Sequence, residues 1–398
     1  MTKRKKIVII APSVLPIPAI QSGAYEQLID SIISINEELN EVDFILISKK
    51  NIGTYKVREK FKYTTFHDFD DNIFKRILNN INKRVNELLS KKVHYNFHII
   101  QIQDILKKLK YDKVLIVGNV DYINPISEIV KKDKIVFYLA TEILSHVNIF
   151  HKCGKIIVGN QRLVNLVLEN NKILKSNEVV NLIPGIDIDF FRQSTADNVK
   201  ILKKKLRIPD SKKVICYIGR IVTSKGVNVL LEAILKLNNR DDYTLLLIGS
   251  IGSNFGSTPN AKVSDVEGIV ELIERLGNNC ISTGFVANED LADYLELADI
   301  GVVPSICEDV APASYLQFQA IGIPTIVSDG GGIPEFYSSE YSIMVNRGDK
   351  MADELQAALI SLLDDSSKRN AMGKLALTNS DKFSMDRYYK ELVDIITT

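Results

Sequence analysis

The strongest constraint on how this chain can fold is a recurrence of short, continuous apolar runs: KIVIIAP, DFILIS, DKVLIVG, KIVFYLA and GKIIVGN, then KVICYIGR, YTLLLIGS, ADIGVVPS and PTIVSD. Val/Ile/Leu runs of this length, separated by segments of helical pattern, are strands covered on both faces, and such strands pair in parallel. The fold class is therefore read as α/β, doubly wound.

The runs fall in two sets. Between them, NLIPGIDIDFFRQSTADNVKILKKKLRIPDSKK interrupts the pattern with Pro184, Gly185, a polar patch and Pro209, and a new strand begins near Val214. Two domains are expected, 1–195 and 196–398, with the last helix packing back on the first of them. A length of 398 residues is too much for one ordinary core and suits that division. Ligands of doubly wound sheets bind outside the carboxyl ends of the strands, so the site is expected in a cleft there.

Composition removes several classes. An apolar fraction of 45% with 25% charged residues is that of a soluble globular protein. The net charge of +1 argues against a phosphate-tracking surface, so no nucleic-acid partner is expected. Cys153, Cys216, Cys280 and Cys307 are far apart and read as reduced, mostly buried thiols; no metal is expected. The opening MTKRKKIVIIAPSV reads as a buried strand rather than a signal peptide, because Pro12 cuts its apolar run short. No run approaches the ~20 residues of a membrane span, and a cytoplasmic protein is expected.

Residues 56–110 are the least regular. Between Lys56 and Lys92 basic residues outnumber acidic ones, with Phe61, Tyr63, Phe66, Phe69 and Phe74 interleaved. The stretch reads either as a solvated helix face or as a basic, aromatic-bearing surface. The second reading would bring the protein into peripheral contact with the inner membrane face or with a lipid-phosphate acceptor.

Motifs concentrate in the second half. YIGRIVTSKGVNVLLEAI runs from a strand into a helix, which places Arg220 and Lys225 in a loop at a helix N-terminus, where anions are favoured. Two fixed cations there suit a diphosphate, and Gly219 and Gly226 on either side allow close backbone approach. SDGGGIPEF also follows a strand, and the N–H groups of Gly330, Gly331 and Gly332 can form an anion-binding concavity ahead of Glu335.

GRIVTSKG, STGFVANEDLADYLELADIGVVPSICEDV, QAIGIPTIVSD, GGIPEF and NLIPGIDIDFF together resemble the retaining nucleotide-sugar glycosyltransferases of family 4, which have the GT-B fold. IGSIGSNFGS, which contains Gly249, resembles members that make bacterial surface polysaccharide or spore-coat glycans. In the first half, KIVIIAPSVLPIPAIQSGAYEQLIDSI is similar to the family's first strand and its glycine-containing acceptor-side loop, here with Gly23.

The resemblance implies that Arg220 and Lys225 hold the donor diphosphate, close to Gly219, Gly249, Gly331 and Gly332. The family's paired glutamates fall on Asp309 and Gln317, counted back from Pro324, with Glu308 as an extra acidic residue. The second of the pair grips the nucleotide ribose. Gln317 can still accept from one hydroxyl and donate to another. Its helix is expected to start at Pro312 and to carry Ala313, Gln317 and Ala320 on one face. DVAPAS replaces the family's aromatic-glycine pair, and in VFYLATEILSH Ala140 stands where a histidine usually ends the strand. Thr141 and Glu142 follow; Glu142 shares the parity of Ala140 and is the candidate sugar contact, with His146 nearby.

The implied activity moves a sugar from a nucleotide sugar, first of all a UDP-sugar, to a glycan or lipid-linked acceptor in bacterial surface polysaccharide synthesis. Retention and metal independence are expected, with no cofactor beyond the donor. The rival reading is a non-catalytic GT-B partner subunit, to which Ala140 and Gln317 point. A nicotinamide-dependent oxidoreductase is disfavoured because APSVLPIPAIQSG lacks G-x-G-x-x-G.

Overall fold

A computed structural model of the chain describes residues 4–12, 15–19, 23–70, 97–139, 147–237, 240–252 and 263–398. Two compact units emerge, Met1–Ile183 with Tyr388–Thr398, and Pro184–Arg387. The first holds strands β1 (Lys6–Ile10), β2 (Asp43–Lys49), β3 (Thr64–Phe69), β4 (Lys113–Val117), β5 (Ile135–Leu139), β6 (Lys155–Val158) and β7 (Val179–Asn181). They pair in the order β3-β2-β1-β4-β5-β6-β7, every pairing parallel. The second holds β8 (Lys213–Ile218), β9 (Tyr243–Ile248), β10 (Cys280–Gly284), β11 (Ile300–Val303), β12 (Thr325–Ser328) and β13 (Ser342–Val345). Their order is β10-β9-β8-β11-β12-β13, again all parallel. In each sheet the order reverses beside the first strand, and the carboxyl ends of β8 and β11 flank the resulting crevice of the second unit.

The continuous apolar runs are the inner strands. Every position of β9, β11 and β12 is buried, because helices cover both faces. The strands without such a run, β3, β7, β10 and β13, are the outer strands of the two sheets. They need no continuous apolar sequence: β10 is CISTG with no fully buried position, and β3 is TTFHDF.

The units divide at Ile183/Pro184 rather than at 195/196. The chain ahead of 195 is bound into the second unit: Ile186 N–H donates to the Phe383 carbonyl at 2.8 Å. Arg192 donates to the carbonyls of Ala320 (2.9 Å) and Leu377 (3.1 Å), to Ser380 Oγ (2.9 Å) and to Asp381 Oδ1 (2.9 Å). At the chain end, buried Asn36 accepts from the Tyr389 hydroxyl (2.7 Å) and Val42 N–H (3.2 Å) and donates to the Val42 carbonyl (2.9 Å). That network holds the end of the helix Met385–Thr397 in the first unit.

Of the basic stretch, 71–96 lies outside the described residues. In the part before it, Phe61 and Phe69 are buried, and Arg58 pairs with Asp68 at 2.8 Å with its guanidinium 4.8 Å from the Phe66 ring centroid. Phe61 and Phe69 thus serve packing, whereas Tyr63 and Phe66 are half-buried and Phe97 is exposed. Among the described residues no helix is long and apolar enough to cross a membrane.

The helix Ala313–Ala320 is pressed onto β11 at Gly301, where a Cβ would lie 2.7 Å from the buried Phe318 ring. Gly301→Ala should therefore lower unfolding free energy by about 1–3 kcal/mol through overpacking. Urea denaturation is expected to show a lower midpoint at unchanged slope. An unshifted midpoint would mean that the Phe318 ring yields without strain.

Candidate functional site

The residues singled out in the second half gather at the carboxyl ends of β8, β11 and β12. After β8, the Arg220 carbonyl accepts from the Tyr217 hydroxyl at 2.7 Å, and the Arg220 side chain is exposed. The turn Thr223–Lys225 then leads to Gly226, with φ 69° and a position where a Cβ would lie 1.8 Å from the Pro304 carbonyl oxygen. Only glycine permits this approach. It brings the start of the helix Val227–Leu235 against the end of β11. The Ser224 carbonyl accepts from Ile306 N–H (3.1 Å) and Cys307 N–H (3.0 Å), so the two loops are stitched together by their backbones.

Asp309 ends the second loop. One carboxylate oxygen takes the Lys225 ammonium and the other takes the Ser305 hydroxyl. The pair is largely covered, with side-chain exposures of 24% for Lys225 and 15% for Asp309. Ser305 is buried, and its carbonyl accepts from Ser328 Oγ at 2.6 Å. The environment is low in dielectric as well as charged: burial, then the Asp309 charge, pushes the Tyr217 hydroxyl pKa up, and the same two causes in the same order raise the Cys307 thiol.

The triple glycine follows β12, and one of its three N–H groups is taken within the protein. Gly332 N–H donates to the Asp309 carbonyl at 2.7 Å, and a Cβ on Gly331 (φ 58°) would lie 2.1 Å from that same oxygen. Close packing against the Asp309 backbone is thus the structural use of these glycines. Glu335 is exposed in the helix Ile333–Phe336.

Arg347, which the sequence reading missed, braces this corner. Its Nη1 donates to Glu308 Oε1 (2.8 Å) and to the Ile306 carbonyl (3.0 Å), while its Nε (3.2 Å) and backbone N–H (3.0 Å) reach Asp329 Oδ1. Hydrogen bonding from Glu308 foremost, with Asp329, holds the guanidinium protonated. The one sequence cue was a lone arginine just past β13 in NRGD.

Gln317 is half-buried on the helix that begins at Ala313, one residue later than expected. Pro312 caps that helix with ψ 114°, and its carbonyl accepts from Tyr315 N–H at 3.0 Å. Ala313 is exposed and Ala320 buried, so the face holding Gln317 runs inward from solvent. Gln319 is buried nearby, its Oε1 accepting from Asn379 Nδ2 at 3.2 Å.

Gly219 and Gly249 sit where β8 and β9 end; a Cβ on Gly249 would lie 1.9 Å from the Gly219 carbonyl oxygen. In the first unit Gly23 caps the helix Ala24–Leu39, where a Cβ would meet Glu26 Oε2 at 2.2 Å. Burial pushes the pKa of that glutamate up. Glu142 lies outside the described residues, as do Ala140, Thr141 and His146. Asp187-Ile188-Asp189 is an Asp-x-Asp pattern whose first carboxylate caps the helix Ile188–Arg192 through Phe190 N–H at 2.9 Å. Among the described residues no group of His, Cys, Asp and Glu is arranged to hold a metal ion.

Residues 198–378 match the family model of group 1 glycosyl transferases. Over 200 residues the chain is 32% identical to a GDP-mannose-dependent monoacylated alpha-(1-6)-phosphatidylinositol monomannoside mannosyltransferase of Corynebacterium glutamicum, covering 48% of this chain and 49% of that one. It is 31% identical over 220 residues to a D-inositol 3-phosphate glycosyltransferase of Corynebacterium jeikeium, covering 52% and 51%. The chain thus spans about half the length of the curated relatives it matches. Among solved structures, HepE of Anabaena in complex with UDP and glucose superposes with a TM-score of 0.77 at 14% identity, over 99% of this chain and 100% of that one. WaaG, a glycosyltransferase involved in lipopolysaccharide biosynthesis, does so with a TM-score of 0.68 at 15% identity, over 98% and 99%. At such identities the likeness is one of fold, and it is the fold of GT-B glycosyltransferases: two parallel-sheet, Rossmann-like units.

Asp309 already neutralises Lys225, so any anion that binds this ammonium has to compete with it. Asp309→Asn should tighten binding of inorganic pyrophosphate about tenfold, or ~1.4 kcal/mol, in isothermal titration calorimetry. Weaker binding in the variant would show that Asp309 orients Lys225 rather than masking it.

Proposed function

We propose that the chain is a glycosyltransferase that takes a sugar from a nucleotide-sugar donor at the crevice between β8 and β11. The observation that carries this reading is the meeting of Lys225 with Asp309 where the two strand-end loops are stitched through the Ser224 carbonyl. In the reaction the bond from the anomeric carbon to the diphosphate oxygen breaks and its electrons leave with the diphosphate; the acceptor hydroxyl oxygen forms the new bond to that carbon, and its proton passes to a departing diphosphate oxygen. Arg220 and Lys225 stabilise the charge that develops on the departing diphosphate, and their loop stands at a helix N-terminus that favours the same anion. No metal is assigned to this step. Gln317 meets the ribose hydroxyls, and the configuration of the sugar is retained, as the resemblance to family 4 implies.

UDP is the proposed leaving group, a choice supported by the UDP bound to HepE. The proposed acceptor is a glycan or lipid-linked molecule of bacterial surface polysaccharide synthesis. Relatives named for transfer to a phosphatidylinositol mannoside and for lipopolysaccharide N-acetylglucosamine transfer support that class.

Lys225→Ala and Arg220→Ala should each lower turnover roughly ten- to a thousand-fold with the fold intact, the scale of losing one preorganised charge-stabilising group. Steady-state kinetics with donor hydrolysis as the readout checks this, and near-normal rates in both would remove them from the site. A wild-type chain that binds UDP yet neither transfers nor hydrolyses any donor would overturn the proposal in favour of a non-catalytic partner subunit.

Gln317→Leu should weaken UDP binding by about 1–3 kcal/mol, because ribose hydroxyls are left unpaired, whereas Gln317→Glu should hold or tighten it. Calorimetry with unchanged affinity in the Leu variant would place Gln317 outside the pocket.

A further inference from the structure

In the first unit a groove of about 500 Å³ opens at the amino ends of β4 and β5. One wall is the end of the helix Phe97–Lys108 with Leu109–Tyr111, and the other is 129–134. Leu106 and Val130 are buried beneath it, and Leu109, Tyr111 and Ile129 are half-buried. Lysines supply the rim: Lys107, Lys110 and Lys131 are exposed, while Lys134 donates to the Tyr111 carbonyl at 3.2 Å and lies 5.6 Å from that ring centroid. No residue lining the groove is acidic.

Neighbouring cations are matched, whereas Lys107, Lys110 and Lys131 on the rim are weakly matched or unmatched. Lys132 pairs with Glu178 at 2.7 Å, and Lys5 and Lys155 donate to the last-turn carbonyls of Thr397 (2.7 Å) and Ile395 (3.3 Å). Lys107 has only an exposed contact with Asp104 at 3.5 Å, a kind of pair worth little. Lys110 and Lys131 have no side-chain partner among the described residues. Burial, then repulsion from Lys155 and Lys5, pushes the pKa of adjacent Lys113 down despite the attraction of Asp133.

We propose that this groove rests on an anionic phospholipid surface, its lysine ammoniums reaching lipid phosphates while Leu109, Tyr111 and Ile129 meet the interfacial layer. A pocket for a small soluble anion would gather converging donors at one point. Here flexible cations are spread over two chain segments around an apolar floor, and a bilayer interface supplies both the charge and the apolar contact. The inference does not depend on the transferase reading. It narrows the basic stretch 56–110 to its last residues and adds a second wall from 129–134.

The test is co-sedimentation of the full chain with phosphatidylcholine vesicles and with phosphatidylcholine/phosphatidylglycerol vesicles. Binding to the mixed vesicles only is expected, weakening as salt is raised. Lys110→Glu with Lys131→Glu should reduce partitioning roughly tenfold or more, and the neutral Lys110→Gln with Lys131→Gln less so. Both positions are exposed, so an unchanged thermal midpoint will separate lost contact from lost fold. Absence of binding by the wild type, or binding indifferent to both double variants, would overturn the proposal. So would calorimetric binding of inorganic phosphate that the charge reversal abolishes while vesicle binding persists.

Discussion

At the crevice of the second unit, backbone must approach backbone more closely than any side chain would allow. A Cβ at Gly226 would lie 1.8 Å from the Pro304 carbonyl oxygen, and one at Gly331 would lie 2.1 Å from that of Asp309. These contacts bring the loops after β8, β11 and β12 into one cluster at the strand ends. Lys225 can reach Asp309 only because the first of them holds, and the second fixes the Asp309 backbone through the Gly332 N–H. The parallel sheet sets the location, since in such sheets the switch point is where the carboxyl ends leave room for a ligand.

The cations Lys225 and Arg347 are each paired with carboxylate before any ligand arrives. Asp309 takes Lys225, and Glu308 with Asp329 takes Arg347. A preorganised arrangement of this kind has little to reorganise when negative charge develops nearby, which is the property that makes fixed cations useful in group transfer. The two ion pairs differ in consequence: Lys225 belongs to the loop at the helix start, whereas Arg347 ties together carboxylates and a carbonyl of the neighbouring loops. Arg347 thus holds the corner in shape, and Lys225 is the cation that the proposed function gives to the donor.

Much of this was legible in the sequence, and the gaps have physical causes. Inner strands such as YTLLLI announce themselves because both faces are covered, while outer strands such as CISTG and TTFHDF carry no such requirement. The strand-end positions of Arg220, Lys225 and Asp309 were legible because each lies in a short segment whose glycines and prolines fix its place. Arg347 could not be found, since its partners come from other strand ends and only the fold unites them, and Ser305 lies in the same loop as Asp309 without any spacing that marks the contact. The triple glycine left two uses open, an anion cup and close packing, and the structure shows the second: the Gly332 N–H and the Gly331 position are committed to the Asp309 backbone. The division at Pro184 was displaced for a similar reason, because Arg192 binds residues more than a hundred positions away along the chain.

The central claim is that the donor diphosphate sits at the carboxyl ends of β8, β11 and β12 in the second unit. Hydrogen–deuterium exchange of the full chain with and without UDP tests it most directly. The account predicts slowed exchange confined mainly to peptides covering 219–230 and 304–335. Protection that falls elsewhere in the chain while these peptides remain unchanged would contradict it.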